Sequence, residues 1–276
     1  MQETYDYITS LFLIPKVLPK TVLSGFFLTF MRIVPIISLA PFLGSKLSSI
    51  IKVGLTLSFT AILLPKALAT LSGPIYFDNT FILFAIKELV IGFFLGFIVS
   101  IPFYIAQSSG NLVDFMRGSS SLMVTDPFSQ TQNSPLSLLY NYTLIVLFYK
   151  IGGMTQVIDG VLNTFSVIPL DQIIPSTFFS QSNSFWVLAF TSLNKIVALS
   201  IQFAAPPILA ILMTELFLGI SNRLAPNVQI SFLGMSLKSL VGLGFLALSW
   251  TLIATRLGDK MQEVLNGFIG LTKTFT

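Results

Sequence analysis

Six solidly apolar stretches separated by polar connectors organise this chain. They run from Val22 to Leu43, Val53 to Leu71, Phe81 to Ile105, Leu136 to Phe148, Phe185 to Phe217 and Leu240 to Ala254. Crossing a bilayer core takes about 20 helical residues. The third stretch meets that length, the fourth and sixth fall short, and the fifth is long enough to bend or to divide. None shows the apolar–polar alternation of a membrane β-strand. The pattern predicts an all-α, integral-membrane-type fold.

Proline punctuates these stretches. Pro35 and Pro41 fall in the first, Pro102 in the third and Pro206-Pro207 in the fifth. Each removes a backbone donor, so a kink or break is expected there. In lipid the freed carbonyls need protein partners or a cavity. Kinked hairpins packed on other protein suit this better than a bundle facing lipid. The connectors are Lys66–Thr80, Gln107–Pro135, Lys150–Ser184 and Gly219–Lys238. Gln107–Pro135 is the one rich in Ser, Gln and Asn, and long loops inside compact proteins are usually functional or disordered. Within it Asp126-Pro127 reads as a turn, and Asn133-Ser134-Pro135 reads as a helix start.

Composition sharpens the class. Of 276 residues, 54% are hydrophobic and 9% charged, with mean hydropathy +0.86. A soluble domain carries about 25% charged residues. There is neither Cys nor His, which removes thiolate and imidazole metal sites and the commonest general base. This argues against an enzyme and gives no reason to expect a cofactor. The net charge of +4 is scattered, with no basic run to suggest nucleic acid. Met1–Ser10 holds Glu3 and Asp6 and lacks a basic n-region, so the first apolar segment is expected to stay in the mature protein. With six spans, the connectors on the N-terminal side carry seven basic residues against five on the other. That is no orientation bias.

Several residues stand out against this background. Lys87 and Glu88 sit inside the third apolar run, where each charge costs about 2.5–3.5 kcal/mol at mid-membrane. Neighbouring positions point about 100° apart on a helix, so each should seek a partner elsewhere, on this chain or another. The alternative is an interfacial position where both reach water. Gly92 and Gly96 form a small-xxx-small face, and Gly242 and Gly244 allow close approach in the last segment. Asp114 and Arg117 are spaced to pair on a helix. An intramembrane aspartyl protease would need two facing carboxylates, for which Asp114 and Asp126 are candidates, but neither sits in an apolar stretch. Lys195 and Glu215 flank Pro206-Pro207 as in a broken transporter helix, with no matching inverted half. Ser221–Asn227 is a polar turn that would fold the last two segments into a hairpin.

Read in order, the residues carry a resemblance. Lys87-Glu88-Leu89 is followed by Gly92 and Gly96, Gly110 with Asp114, Asp126-Pro127 and the Gln132–Leu136 run. Then come Ala205-Pro206-Pro207, Asn222-Arg223, Ala225–Ile230 and Leu237-Lys238. Together they resemble the T component of the type III secretion export apparatus, homologous to the flagellar biosynthetic protein FliR, over nearly the whole chain.

The resemblance implies a subunit of a hetero-oligomeric helical export gate, built with P-type (FliP-like) and Q-type (FliQ-like) subunits. It implies a P-like part over 1–184, including a plug loop at 107–135, and a Q-like hairpin over 185–276. The gate would lie in the bacterial inner membrane within the basal body, partly above the membrane plane on the periplasmic side. A U-type (FlhB-like) switch protein, membrane lipid and unfolded secreted proteins in transit are the further partners implied. Carried over by position, Gly110, Asp114, Met116, Arg117, Met123, Asp126, Pro127 and Phe128 belong to the plug, with Met116, Met123 and Phe128 as sealing contacts. Lys87, Glu88, Gly92, Gly96, Lys195, Glu215, Asn222, Arg223 and Asn227 belong to subunit contacts. The competing reading is a polytopic solute or ion transporter.

Overall fold

The computed structural model describes residues 19–43, 47–118, 124–125, 132–172, 184–224 and 230–274. Seven α-helices form among them: α1 (Pro19–Leu39), α2 (Ser49–Ala69), α3 (Asn79–Met116), α4 (Pro135–Lys150), α5 (Gly153–Val167), α6 (Ser184–Leu224) and α7 (Ile230–Thr274). The fold is all-α, relieved by a 3-10 turn at Pro41–Leu43 and by two-residue strands β1 (Val124–Thr125) and β2 (Gln132–Asn133). The strands pair antiparallel, Val124 opposite Asn133. Helices α1, α2, α3, α6 and α7 are each long and apolar enough to cross a membrane. The α4–α5 pair adds a sixth crossing if it is taken as one broken span.

Four features refine the sequence reading. First, of the kink or break expected at the prolines, no break occurs at three sites: Pro35 lies inside α1, Pro102 inside α3 and Pro206-Pro207 inside α6. Only Pro41 falls at a stop, starting the 3-10 turn two residues after α1. Second, α3 continues through the first ten residues of the polar connector, to Met116. Third, the Lys150–Ser184 connector contains α5, whose Val157, Val161 and Phe165 are buried at successive four-residue steps. Fourth, α7 runs well beyond its apolar core, because Ile253, Leu257, Met261, Leu265 and Phe268 keep a buried stripe among charged neighbours.

The start of α4 follows the expected chemistry. Ser134 is the N-cap, its hydroxyl accepts the Ser137 N–H at 3.3 Å, and Pro135 occupies the first turn, where its missing donor is harmless. Past the end of α4, Gly152 takes φ +70°, the left-handed geometry that suits glycine after a helix terminus.

The chain divides into two compact units. The first comprises α1, α2, α3 up to Ser100, α5, the start of α6 up to Ala189 and the end of α7 from Val264. Here α3 lies against α1 at Gly92 and Gly96. A Cβ on Gly92 would stand 2.1 Å from the Arg32 carbonyl oxygen, and one on Gly96 2.9 Å from the Ile36 Cα. The Ser100 hydroxyl adds a hydrogen bond to the Leu39 carbonyl at 2.9 Å. A 40 Å³ apolar cavity remains, bordered by Ile33, Ile37, Leu63, Val157 and Val161 among others.

The second unit comprises α3 from Ile101, α4, α6 from Phe190 and α7 up to Glu263. Gly110 brings α3 onto the first turn of α4; a Cβ there would stand 2.5 Å from Leu136 and Ser137 backbone atoms. Phe103 and Phe148 meet edge to face at 5.7 Å, and Tyr140 and Trp250 at 5.3 Å.

Candidate functional site

Two polar constellations interrupt the apolar packing, one in each unit. In the first unit Arg32 (α1), Lys87 and Glu88 (α3) are buried together, with Arg32 and Glu88 wholly enclosed. Arg32 grips the Glu88 carboxylate with two nitrogens, Nη2 lying 2.9 Å from Oε1 and Nε reaching Oε2. It also donates to Thr164 Oγ1 at 3.1 Å and to the Ile168 carbonyl at 2.8 Å, and its plane sits 4.3 Å from the centre of the Phe165 ring. Lys87 donates to the carbonyls of Pro169, Leu170 and Gln172 at 2.8, 3.2 and 2.9 Å, and lies 2.8 Å from Glu88 Oε1.

Two cations therefore share one carboxylate, and the surplus positive charge faces the carbonyl end of α5, where the helix dipole favours a cation. Asp171 fastens the same segment from the other side, its Oδ2 accepting the N–H groups of Ser72 at 2.7 Å and Gly73 at 3.1 Å. This arrangement joins α1, α3, the end of α5 and the α2–α3 connector.

The sequence reading treated Lys87 and Glu88 as poor partners for each other. They are in contact all the same, at 2.8 Å. Each also has a partner elsewhere on this chain. Lys87, Glu88, Gly92 and Gly96 are all engaged within the chain.

In the second unit Asp114 is nearly enclosed at the end of α3. Its Oδ1 takes Arg117 Nε at 2.7 Å, and its Oδ2 accepts the Leu136 N–H at 2.8 Å. Ser134 donates to Asn111 Oδ1 at 2.7 Å. Arg117 reaches on to Ser239 of α7 at 3.3 Å. Beside it opens a 420 Å³ groove bordered by Arg117, Gly118, Glu215, Asn222, Met235 and Lys238, among others. The Lys238 ammonium pairs with Glu215 at 2.5 Å on its rim.

Sequence-predicted residues from distant segments thus converge: Gly110, Asp114 and Arg117 on the α3–α4 junction, and Arg117, Glu215 and Asn222 on the groove. Met116 is half-buried beside them and Arg223 is exposed at the end of α6. Lys195 stands apart from Glu215 and pairs instead with Glu263 at 3.4 Å on the surface. The two charges that flank Pro206-Pro207 therefore pair with different α7 residues. Met123, Asp126, Pro127, Phe128 and Asn227 lie outside the described residues.

Sequence reasoning missed Arg32, the hub of the first constellation. The available signal was a lone arginine in the first apolar stretch, which needs a carboxylate, and Glu88 is the acidic residue set deepest in an apolar run. Thr164, Asp171 and Ser239 were missed too, lying in segments read as connectors or as plain apolar helix. Among the described residues no group of three or more carboxylates is placed to hold a metal ion.

Comparison with known proteins bears on this architecture. The profile of the family described as bacterial export proteins, family 1, matches residues 23–264. FliR, the flagellar biosynthetic protein of Escherichia coli K12, is 27% identical over 247 residues, covering 88% of this chain and 91% of that one. The surface presentation of antigens protein SpaR of Shigella flexneri is 25% identical over 215 residues, 78% of this chain and 80% of that one. The Yop proteins translocation protein T of Yersinia pestis is 28% identical over 156 residues, 56% of this chain. The chain spans 58% of the length of that Yersinia relative. A match running from the first apolar helix into the last makes the chain a member of family 1 of the bacterial export proteins, the FliR-like family of the type III export apparatus.

Proposed function

We propose that this chain is a non-enzymatic core subunit of a type III export gate, helping to form and seal the protein-conducting pore in the bacterial inner membrane. The observation that carries this reading is how little of its longest helix the chain itself covers. Across the most apolar window of α7, 17% is buried, and Leu240, Leu248 and Leu252 are exposed. Lipid alone would accept such a face. The charges Lys238, Arg256 and Lys260 along the same helix favour protein neighbours for much of it.

In this reading residues 1–184 form the P-like part and 185–276 the Q-like hairpin of α6 and α7. P-type and Q-type subunits pack on the exposed faces, the U-type switch protein lies near the hairpin turn, and unfolded substrates pass through the assembled pore. The segment after Gly110 is the plug, with Asp114, Met116 and Arg117 at its base and Met123, Asp126, Pro127 and Phe128 further along. Lys195, Glu215, Asn222, Arg223 and Asn227 contact neighbouring subunits directly. Lys87, Glu88, Gly92 and Gly96 hold the shape of the surface they bind. The gate sits within the basal body, partly above the membrane plane on the periplasmic side.

Co-expression with P-type and Q-type subunits, followed by native mass measurement, tests this. A stable hetero-oligomer containing the chain is expected. A chain that stays monomeric with those partners present rules the gate reading out.

A further inference from the structure

We propose that the two ends of the Arg117–Ser134 connector are locked into one fixed frame, with Asp114 as its positioning residue, and that this frame stays closed while substrate passes. The inference rests on the reading of the connector as a plug.

Three contacts between the end of α3 and the start of α4, with local bonds at each end, build the frame. Asp114 uses both carboxylate oxygens, one on Arg117 and one on the Leu136 N–H. Asn111 accepts from Ser134, which caps α4 through the Ser137 N–H. Gly110 lets the two backbones touch without an intervening side chain. Arg117 carries the frame on to α7 through Ser239.

Parting the ends would take the Leu136 N–H from a buried carboxylate and leave a buried donor unpaired, which costs more than losing an exposed ion pair. Charge-assisted hydrogen bonds at both oxygens also fix the carboxylate's direction. The first backbone position outside the frame is Gly118, held at φ +81°, where glycine alone turns without strain. The frame therefore ends at Gly118 on the α3 side, and within it the ends of α3 and α4 stay together.

The chain has no cysteine, so an Asn111→Cys/Ser134→Cys variant carries a single thiol pair. In assembled, secreting cells this pair is bridged with a reducible bis-methanethiosulfonate linker. Secretion of a reporter is then compared in the same cells before bridging, after bridging and after reduction. Bridging should occur in the assembled gate and lower secretion less than about fivefold. A larger loss, or failure of the pair to bridge in assembled gates, overturns the proposal.

If the double variant does not assemble, ion leakage through gates carrying Asp114→Ala or Asp114→Asn decides. Asp114→Ala should leak, while Asp114→Asn, which keeps an acceptor for Leu136, should restore most of the seal. An Asp114→Ala gate as tight as the unmodified one overturns the positioning role. Deletion of Met116–Gln130 separates the two ideas. A tight deletion gate removes the plug reading itself, whereas a leaking deletion beside a tight Asp114→Ala removes only the frame.

Discussion

The Tyr140 hydroxyl donates to the Phe203 carbonyl oxygen at 3.4 Å, and Phe203 is the residue whose helical donor is missing, because position 207 is a proline. A side chain from α4 thus replaces a backbone N–H of α6. That satisfies one of the two carbonyls that Pro206-Pro207 deprive of a helical donor. Tyr140→Phe should lower the thermal stability of the detergent-solubilised chain by about 1 kcal/mol. Since Pro207→Ala supplies the N–H directly, Tyr140→Phe should cost less in that background. Equal costs in both backgrounds would refute the substitution of one donor for another.

The shared carboxylate of Glu88 makes an asymmetric prediction. Glu88→Gln leaves Arg32 and Lys87 facing each other with no anion between them, and should cost about 3–5 kcal/mol. Arg32→Met leaves Lys87 on Glu88 at 2.8 Å, so its cost should be smaller. Thermal unfolding of the two variants side by side checks the order, and a reversed order would contradict this account of the cluster.

Glycine substitutions offer a matched pair inside apolar helices. At Gly92 a methyl group would press 2.1 Å from the Arg32 carbonyl, whereas at Gly54 nothing lies within 4 Å. Gly92→Ala should destabilise by about 1–3 kcal/mol through overpacking. Gly54→Ala should stabilise by about 0.5–1 kcal/mol through helix propensity. The sign difference can be read in one unfolding series.

Glu215 separates stability from assembly. Its pair with Lys238 is half-exposed, so Glu215→Lys should change the stability of the isolated chain by less than about 1 kcal/mol. If Glu215 contacts a neighbouring subunit, the same variant should reduce recovery of the P-, Q- and T-type complex. Undiminished recovery would take Glu215 out of that contact set.

Removal of Met116–Gln130 should leave subunit assembly largely intact and make the membrane permeable to small ions. Conductance of the purified complex in planar bilayers is the direct measurement. Unchanged conductance in an assembled mutant would end the plug assignment.

The apolar stretches and the Ser134-Pro135 helix start could be read from the sequence because both depend on neighbours in the chain. The choice between kink and break at each proline was not legible, because it depends on contacts from other helices, such as the one Tyr140 makes to Phe203. The α5 helix was hidden because its buried positions, Val157, Val161 and Phe165, are few and sit among polar residues. Arg32 was missed although its need for a carboxylate was legible. What the sequence lacked was the fold that brings residues 32 and 88 together. Asp114 with Arg117 was legible since that pair is local, while the tie from Asp114 to Leu136 was not.

Lys87 holds the segment after α5 by the oxygens of Pro169, Leu170 and Gln172, and Arg32 adds that of Ile168. Every amino acid possesses that oxygen. The interior cations therefore recognise the path of the backbone and are blind to the identity of the side chains along it. Their grip is indifferent to sequence over residues 168–170 and 172. Side-chain identity enters by other routes: Leu170 is buried, Asp171 clasps the α2–α3 connector through its carboxylate, and Gln172 reaches Ser72 of that connector.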